Sequence, residues 1–234
     1  MRRSQLLRET IRRIIVEGRD EIGAIYCDMD GVLVDAAESH FQALKDALAA
    51  FGFGVGNEHH ATQLNGLTTR TKLDMLTRDI GLPRELHAPI HAMKQARTAE
   101  LLRLVARPIA QHHDLLVRLR ALGYRTAVAS NSIRNTVSFV LDATQLAPMM
   151  DVVLSNEDVA RPKPAPDIYL AAAARLGVAP AACLVIEDHP YGIAAAQAAG
   201  AQVLRVNSIH DVRWETVAPM LGEDPRPLLA AAHA

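Results

Sequence analysis

Two carboxylates one residue apart, Asp28 and Asp30, follow directly on the apolar run Ile22-Gly23-Ala24-Ile25-Tyr26-Cys27 and are themselves followed by Gly31. Side chains alternate along a strand, so Asp28 and Asp30 start out on the same side. Gly31 then lets the chain turn. Carboxylates this close repel each other and persist together when a cation neutralises them or one holds a proton. Both conditions suit metal-assisted displacement at phosphorus, with a nucleophile on a strand end.

Three later segments share that plan, an apolar run ending in polar groups. Thr126-Ala127-Val128-Ala129 leads into Ser130-Asn131-Ser132, a hydroxyl and an amide before a helix, suited to holding phosphate oxygens. Val152-Val153-Leu154 precedes Arg161-Pro162-Lys163-Pro164-Ala165-Pro166-Asp167, where prolines stiffen the chain around a lysine that can neutralise phosphate or nucleophile charge. Leu184-Val185-Ile186 leads into Glu187-Asp188, a second pair of carboxylates. In doubly wound sheets the carboxyl ends of the strands line one crevice, so the four segments are expected to converge. Hard oxygen donors with room for water and phosphate favour Mg²⁺ over Zn²⁺.

The elements needed to position these groups are legible along the chain. Helices are expected over Leu115 to Leu122, Arg134 to Leu141, Asp167 to Leu176 and Gly192 to Ala199. They alternate with strands over Tyr124 to Ala129, Val152 to Leu154, Cys183 to Ile186 and Gln202 to Val206. That alternation predicts parallel β-α units: an α/β, Rossmann-like three-layer core with a mainly parallel sheet. Between the first and second motifs the pattern is helical and amphipathic, broken at Gly52 to Gly56, Gly66, Gly81-Leu82-Pro83 and Pro89, which predicts an inserted all-α cap domain. The expected organisation is an N-terminal helical extension over 1–20, a catalytic core over 21–36 and 107–234, and a cap over 37–106.

Composition narrows the partners. The 234 residues are 50% hydrophobic and 22% charged, and a formal charge of −1 gives no footprint for nucleic acid or an anionic membrane. No apolar run approaches a membrane-spanning length, and the charged N-terminal stretch lacks the core of a signal peptide, so a cytoplasmic protein is expected. Cys27 and Cys183 form no metal-ligand spacing and no disulfide framework. The pairs His59-His60 and His112-His113 are expected to be surface histidines, because adjacent side chains diverge on a helix. Gly52-Phe53-Gly54-Val55-Gly56 follows a helix and has its third glycine one place too early for a dinucleotide loop, so it is expected to be a cap turn.

Taken in order, the four segments resemble the haloacid dehalogenase superfamily of phosphatases and phosphomutases, over roughly residues 22 to 206. The resemblance implies that Asp28 attacks phosphorus to form an aspartyl-phosphate, while Asp30 protonates the leaving oxygen and then activates water. It implies that Mg²⁺ is held by Asp28, Asp188 and Glu187 together with Asp30, the last through its backbone carbonyl. Ser130, the Asn131 backbone and Lys163 would grip the transferring group. The pattern is similar to the β-phosphoglucomutase-like and sugar-phosphate phosphatase subgroup with a helical cap. There His40 and Lys94 fall at positions linked to cap closure and substrate, and Asn65-Gly66-Leu67-Thr68-Thr69-Arg70 at the cap loop that reads substrate.

Two departures separate the alternatives within that subgroup. Thr69 stands where the mutase cap loop has an arginine, with Arg70 one place later, and Ile133 stands where the mutase has a lysine in the second motif. Without two anchors for a bisphosphate intermediate, hydrolysis of a small phosphorylated metabolite is expected; phosphomutase action and a catalytically silent binding member are the alternatives. The cap residues Thr68, Thr69, Arg70, His60 and Lys72 point to a polar, hydroxyl-bearing or anionic leaving group.

Overall fold

The computed structural model describes residues 21–59 and 63–226. The helical extension expected over 1–20 and His60 lie outside the described residues. Five strands form one parallel sheet in the order β3-β2-β1-β4-β5: β1 Ala24–Cys27, β2 Arg125–Ala129, β3 Val152–Leu154, β4 Cys183–Glu187 and β5 Gln202–Arg205. All four residues of β1 are buried, as are all five of β4, whereas β3 and β5 at the edges are partly exposed. Strands covered on both faces read as unbroken apolar runs, and β1 at the centre is the clearest example.

One face of the sheet is covered by α4 Ala110–Ala121 and α5 Arg134–Ala143, around Ile25, Cys27, Leu116, Val128, Val137 and Ile186. The other carries α6 Asp167–Leu176 and α7 Pro190–Ala198, around Tyr26, Ala127, Ile168, Tyr169 and Val185. Helices on both faces make the three-layer α/β core that the alternation predicted. The expected element ends hold to within a few residues. The largest difference is α4, which starts five residues before the expected Leu115 and so takes in His112-His113.

That difference corrects one expectation. His112 is buried, with its Nε2 2.7 Å from the carbonyl oxygen of Ile209, so it ties α4 to the segment after β5 rather than facing solvent. Burial holds its imidazole below the ordinary histidine range.

Between β1 and α4 lie α1 Ala37–Ala49, α2 Thr69–Ile80 and α3 His87–Val105. They enclose a separate apolar core of Phe41, Leu44, Leu48, Leu64, Leu73, Leu76, Leu82 and Ile90. Thr68 caps α2, its hydroxyl accepting from the Thr71 amide, and Gly81 ends it in a left-handed conformation at φ 71°. The long helix α3 belongs to both bodies: Ile90 is buried in the cap, Leu102 in the sheet-side core. The cap is therefore rooted in the core through a continuous helix.

Candidate active site

The carboxyl ends of the strands, the Lys163 loop and the underside of the cap enclose a cavity of about 500 Å³. Asp28 opens its floor. Its amide donates to the Ile186 carbonyl at 3.0 Å, so pairing with β4 runs one residue beyond β1 and pins the carboxylate's root. Ser130 is fixed in the same way, its amide donating to the Leu154 carbonyl at 3.0 Å. After Asp30 the chain turns at Gly31, whose φ of 89° and place against the Asp188 carboxylate leave no room for a Cβ.

A buried ammonium organises the floor. Lys163 Nζ donates to Asp28 Oδ1 at 2.7 Å and to Glu187 Oε1 at 2.6 Å, and lies 4.8 Å from the centre of the Tyr169 ring. Glu187 is engaged on both oxygens: Tyr169 also donates to Oε1 at 2.9 Å, and the amides of Asp188 and His189 donate to Oε2. Burial opposes the charge on Lys163, yet Asp28 and Glu187 carry its pKa well above the ordinary value. Asp28 is pushed well above the usual carboxylate range by burial, with Glu187 and Asp30 adding to it against the pull of Lys163. Asp188 is pushed up to about 6, by burial and then by Glu187.

Such a crowd of carboxylates fits a cation. Asp28, Glu187 and Asp188 each offer an oxygen lying within 4.8 Å of the others, and Asp188 Oδ1 is buried with no hydrogen bond. An all-oxygen donor set suits a hard divalent ion. Since Glu187 is occupied by Lys163 and Tyr169, Asp28 and Asp188 carry the spare donor capacity. The Asp30 side chain, expected among the metal ligands, stands outside this group.

Asp30 faces the cap instead. Its Oδ2 accepts from the Ser132 hydroxyl at 2.8 Å, while Oδ1 lies 3.2 Å from His40 Nε2, at ion-pair distance but off the hydrogen-bond direction. On the far side of the imidazole, Lys94 Nζ is 3.0 Å from His40 Nδ1. With Lys94 donating, the ring proton sits on Nε2, on the Asp30 side of the imidazole. Burial works against the Asp30 charge, but His40 and Ser132 hold its carboxyl below the ordinary range. Burial, with Lys94 beside it, lowers His40 as well.

The remaining expected residues divide. Asn131 lines the cavity, but its side chain works between segments: Nδ2 donates to the Gly66 carbonyl of the cap at 2.9 Å and to the Lys163 carbonyl at 3.2 Å, and Oδ1 accepts from the Lys163 amide at 3.0 Å. Ser130 is buried behind the wall, its hydroxyl accepting from the Ser132 amide at 3.0 Å. Arg70 is solvent-exposed at the rim, while Thr69 before it and Lys72 after it are buried. On a helix each step turns the side chain by about 100°, which is why Arg70 faces out where its neighbours face in.

Ser132 and Gly66, inside segments expected at the site but given no role of their own, and His189, which follows such a segment, all line the cavity. Gly66 has φ 73°, and a Cβ there would come within 2.5 Å of His189 Nδ1, so cap loop and core meet at van der Waals limits. Ser132 had a signal, since it lies two residues beyond Ser130 in a loop already assigned to the site.

Comparison with known proteins gives the family. The family of haloacid dehalogenase-like hydrolases matches residues 25–206. Protein CbbY of Rhodobacter capsulatus is 32% identical over 194 residues, 79% of this chain and 85% of its own. Hexitol phosphatase B of Escherichia coli K12 is 30% identical over 222 residues, 91% of this chain and 90% of its own. The crystal structure of β-phosphoglucomutase from Clostridium difficile superposes with a TM-score of 0.75 over 86% of this chain and 97% of that one; at 21% identity it supports the fold alone. The chain belongs to the haloacid dehalogenase-like hydrolases, and it is an enzyme of the phosphatase type.

Proposed function

We propose that this phosphatase is a Mg²⁺-dependent phosphoric monoester hydrolase acting on a small phosphorylated metabolite, a sugar phosphate or similar compound, through an aspartyl-phosphate on Asp28. One observation carries the reading: the buried ammonium of Lys163 bridges Asp28 and Glu187 at the floor of a cavity, with Asp30 beside it. An anionic nucleophile is thereby held in place and partly neutralised, which lets it approach a negatively charged phosphoryl group.

Asp28 and Asp188 would hold the Mg²⁺ with Glu187 in support; when bound, the ion supplies positive charge to the phosphoryl oxygens and relieves the repulsion among the carboxylates. The chain's own groups do the rest. An Asp28 oxygen forms a bond to phosphorus as the bond from phosphorus to the ester oxygen breaks, and a proton on Asp30 passes to that leaving oxygen. Phosphate charge arriving beside Asp30 raises its carboxyl and favours the protonated form this step needs. In the second half Asp30 takes a proton from water as the water oxygen bonds to phosphorus, freeing Asp28 and releasing inorganic phosphate.

Asn131 couples closure to chemistry, since one side chain holds both the cap loop at Gly66 and the backbone of Lys163. Ile133, which also lines the cavity, offers no charge for a second phosphate at that point. Hydrolysis therefore fits better than transfer between two positions of one sugar. Phosphate release from a panel of sugar phosphates with Mg²⁺ is the expected result, abolished by EDTA and restored by adding Mg²⁺ back. Isomerisation without phosphate release, dependent on a sugar bisphosphate, would replace this reading with the mutase.

A further inference from the structure

The Tyr169 side chain takes no part in the proposed reaction, yet it is tied to the floor of the site. It stands in the first turn of α6, is buried and does not line the cavity, so it touches no substrate. Its hydroxyl donates to Glu187 Oε1 at 2.9 Å, the same oxygen that takes Lys163 Nζ at 2.6 Å. The Lys163 ammonium in turn lies over the Tyr169 ring, 4.8 Å from its centre, where the π face is negative. One side chain thus holds the Lys163–Glu187 pair at both ends.

Backbone closes off the rest of the Glu187 carboxylate. The amides of Asp188 and His189 donate to Oε2, and Gly192 packs against Oε1 with no room for a Cβ. Two side chains, Lys163 and Tyr169, therefore share Oε1, and that sharing has an electrostatic consequence. Lys163 divides its hydrogen bonds between Glu187 and Asp28, the latter at 2.7 Å. A neutral donor on Oε1 offsets part of the carboxylate's charge, so Glu187 anchors the ammonium without drawing it off Asp28. With the hydroxyl gone, Oε1 is left to Lys163 alone and the balance shifts toward Glu187. The shift matters most during transfer, when the Asp28 charge is spent in the new bond to phosphorus and the ammonium must serve the phosphoryl oxygens.

We infer that Tyr169 is a positioning residue for phosphoryl transfer: its hydroxyl and ring fix the Lys163–Glu187 pair so that the ammonium stays available to Asp28 and to the group Asp28 accepts. This rests on the phosphatase reading and adds to it a residue that never meets the substrate.

The fold supplies a control. Tyr26 is also buried and stacks parallel to Tyr169, with ring centres 6.4 Å apart, but its hydroxyl accepts from Cys183 Sγ at 3.0 Å instead of bonding Glu187. Removing either hydroxyl deletes one buried hydrogen bond, so Tyr169→Phe and Tyr26→Phe should each lower Tm by a few degrees. In a phosphate-release assay with Mg²⁺, Tyr169→Phe should lower kcat by about tenfold with KM within about twofold of the wild type, and Tyr26→Phe should change neither. A merely structural role predicts that the two variants behave alike. Unchanged kcat in Tyr169→Phe, a loss confined to KM, equal losses in both variants, or a Tyr169→Phe protein that does not fold would overturn the inference. If the wild type hydrolyses no ester, the phosphatase reading fails separately, and calorimetric titration with orthovanadate, which mimics five-coordinate phosphorus, decides. Binding about tenfold weaker in Tyr169→Phe alone supports the inference; equal binding in all three proteins, or none to the wild type, overturns it.

Discussion

The two walls of the cavity are built on opposite principles. On the floor most charges are tied together: Lys163 joins Asp28 to Glu187, Tyr169 and two backbone amides complete Glu187, and Ser132 holds Asp30, while Asp188 keeps a buried oxygen without a hydrogen bond. On the cap side two buried lysines have no carboxylate of their own within ion-pair distance among the described residues. The floor hangs from strand ends whose backbone is tied into the sheet, while the cap side stands on helices that pack around a separate core. Charges tied to one another can position a reaction, whereas a wall lacking counter-charges favours what supplies them.

The largest expected effect breaks the floor. Lys163→Met removes the common partner of two buried carboxylates and should lower the free energy of unfolding by about 3–5 kcal/mol, with activity falling by two orders of magnitude or more. Urea unfolding and a phosphate-release assay measure both. A variant as stable as the wild type would show that the ion pairs contribute nothing to holding the floor.

The seam between the walls comes next. At Gly66→Ala, the positive φ and the approach to His189 both oppose a Cβ, so kcat/KM should fall by roughly tenfold while unfolding changes by only about 1 kcal/mol. Unchanged kinetics would mean that this contact is not made during turnover.

The smallest effect sharpens the picture of the cap side. The folded pKa of Lys72 is about 8, below the ordinary 10.5, so between these values the unfolded chain binds the extra proton. Stability should therefore rise as pH climbs through that window, the penalty being full below it and gone above it. Lys72→Met abolishes the penalty, so the variant's Tm should exceed the wild type's by a few degrees at about pH 7 and lose that advantage by about pH 10. A difference that does not change with pH would mean that Lys72 is not a strained buried cation.

The floor was legible in the sequence because strand-end residues follow from period-two alternation and short loops. Asp28, Asp30, Lys163, Glu187 and Asp188 were all named from runs that end in polar groups, and the structure brings them together. The cap was legible only as helices. Helix register decides which of Thr69, Arg70 and Lys72 faces inward, and a shift of one residue turns the answer by about 100°. Arg70 was thus named for the site and lies at its exposed rim, while Lys72 carries the buried charge. Asn131 is legible as a site residue, but the bridge its side chain makes is not, since its partners at Gly66 and Lys163 are distant in sequence and meet only in the fold. His112 was misplaced because α4 begins earlier than its apolar spacing suggested.

The most direct test of the proposed chemistry is to quench the enzyme in acid during turnover of a good phosphate ester and locate the phosphoryl label by mass spectrometry of its peptides. Label on Asp28, absent from the Asp28→Asn protein along with phosphate release, is the expected result. Continued phosphate release by Asp28→Asn, or label on another residue, would contradict it.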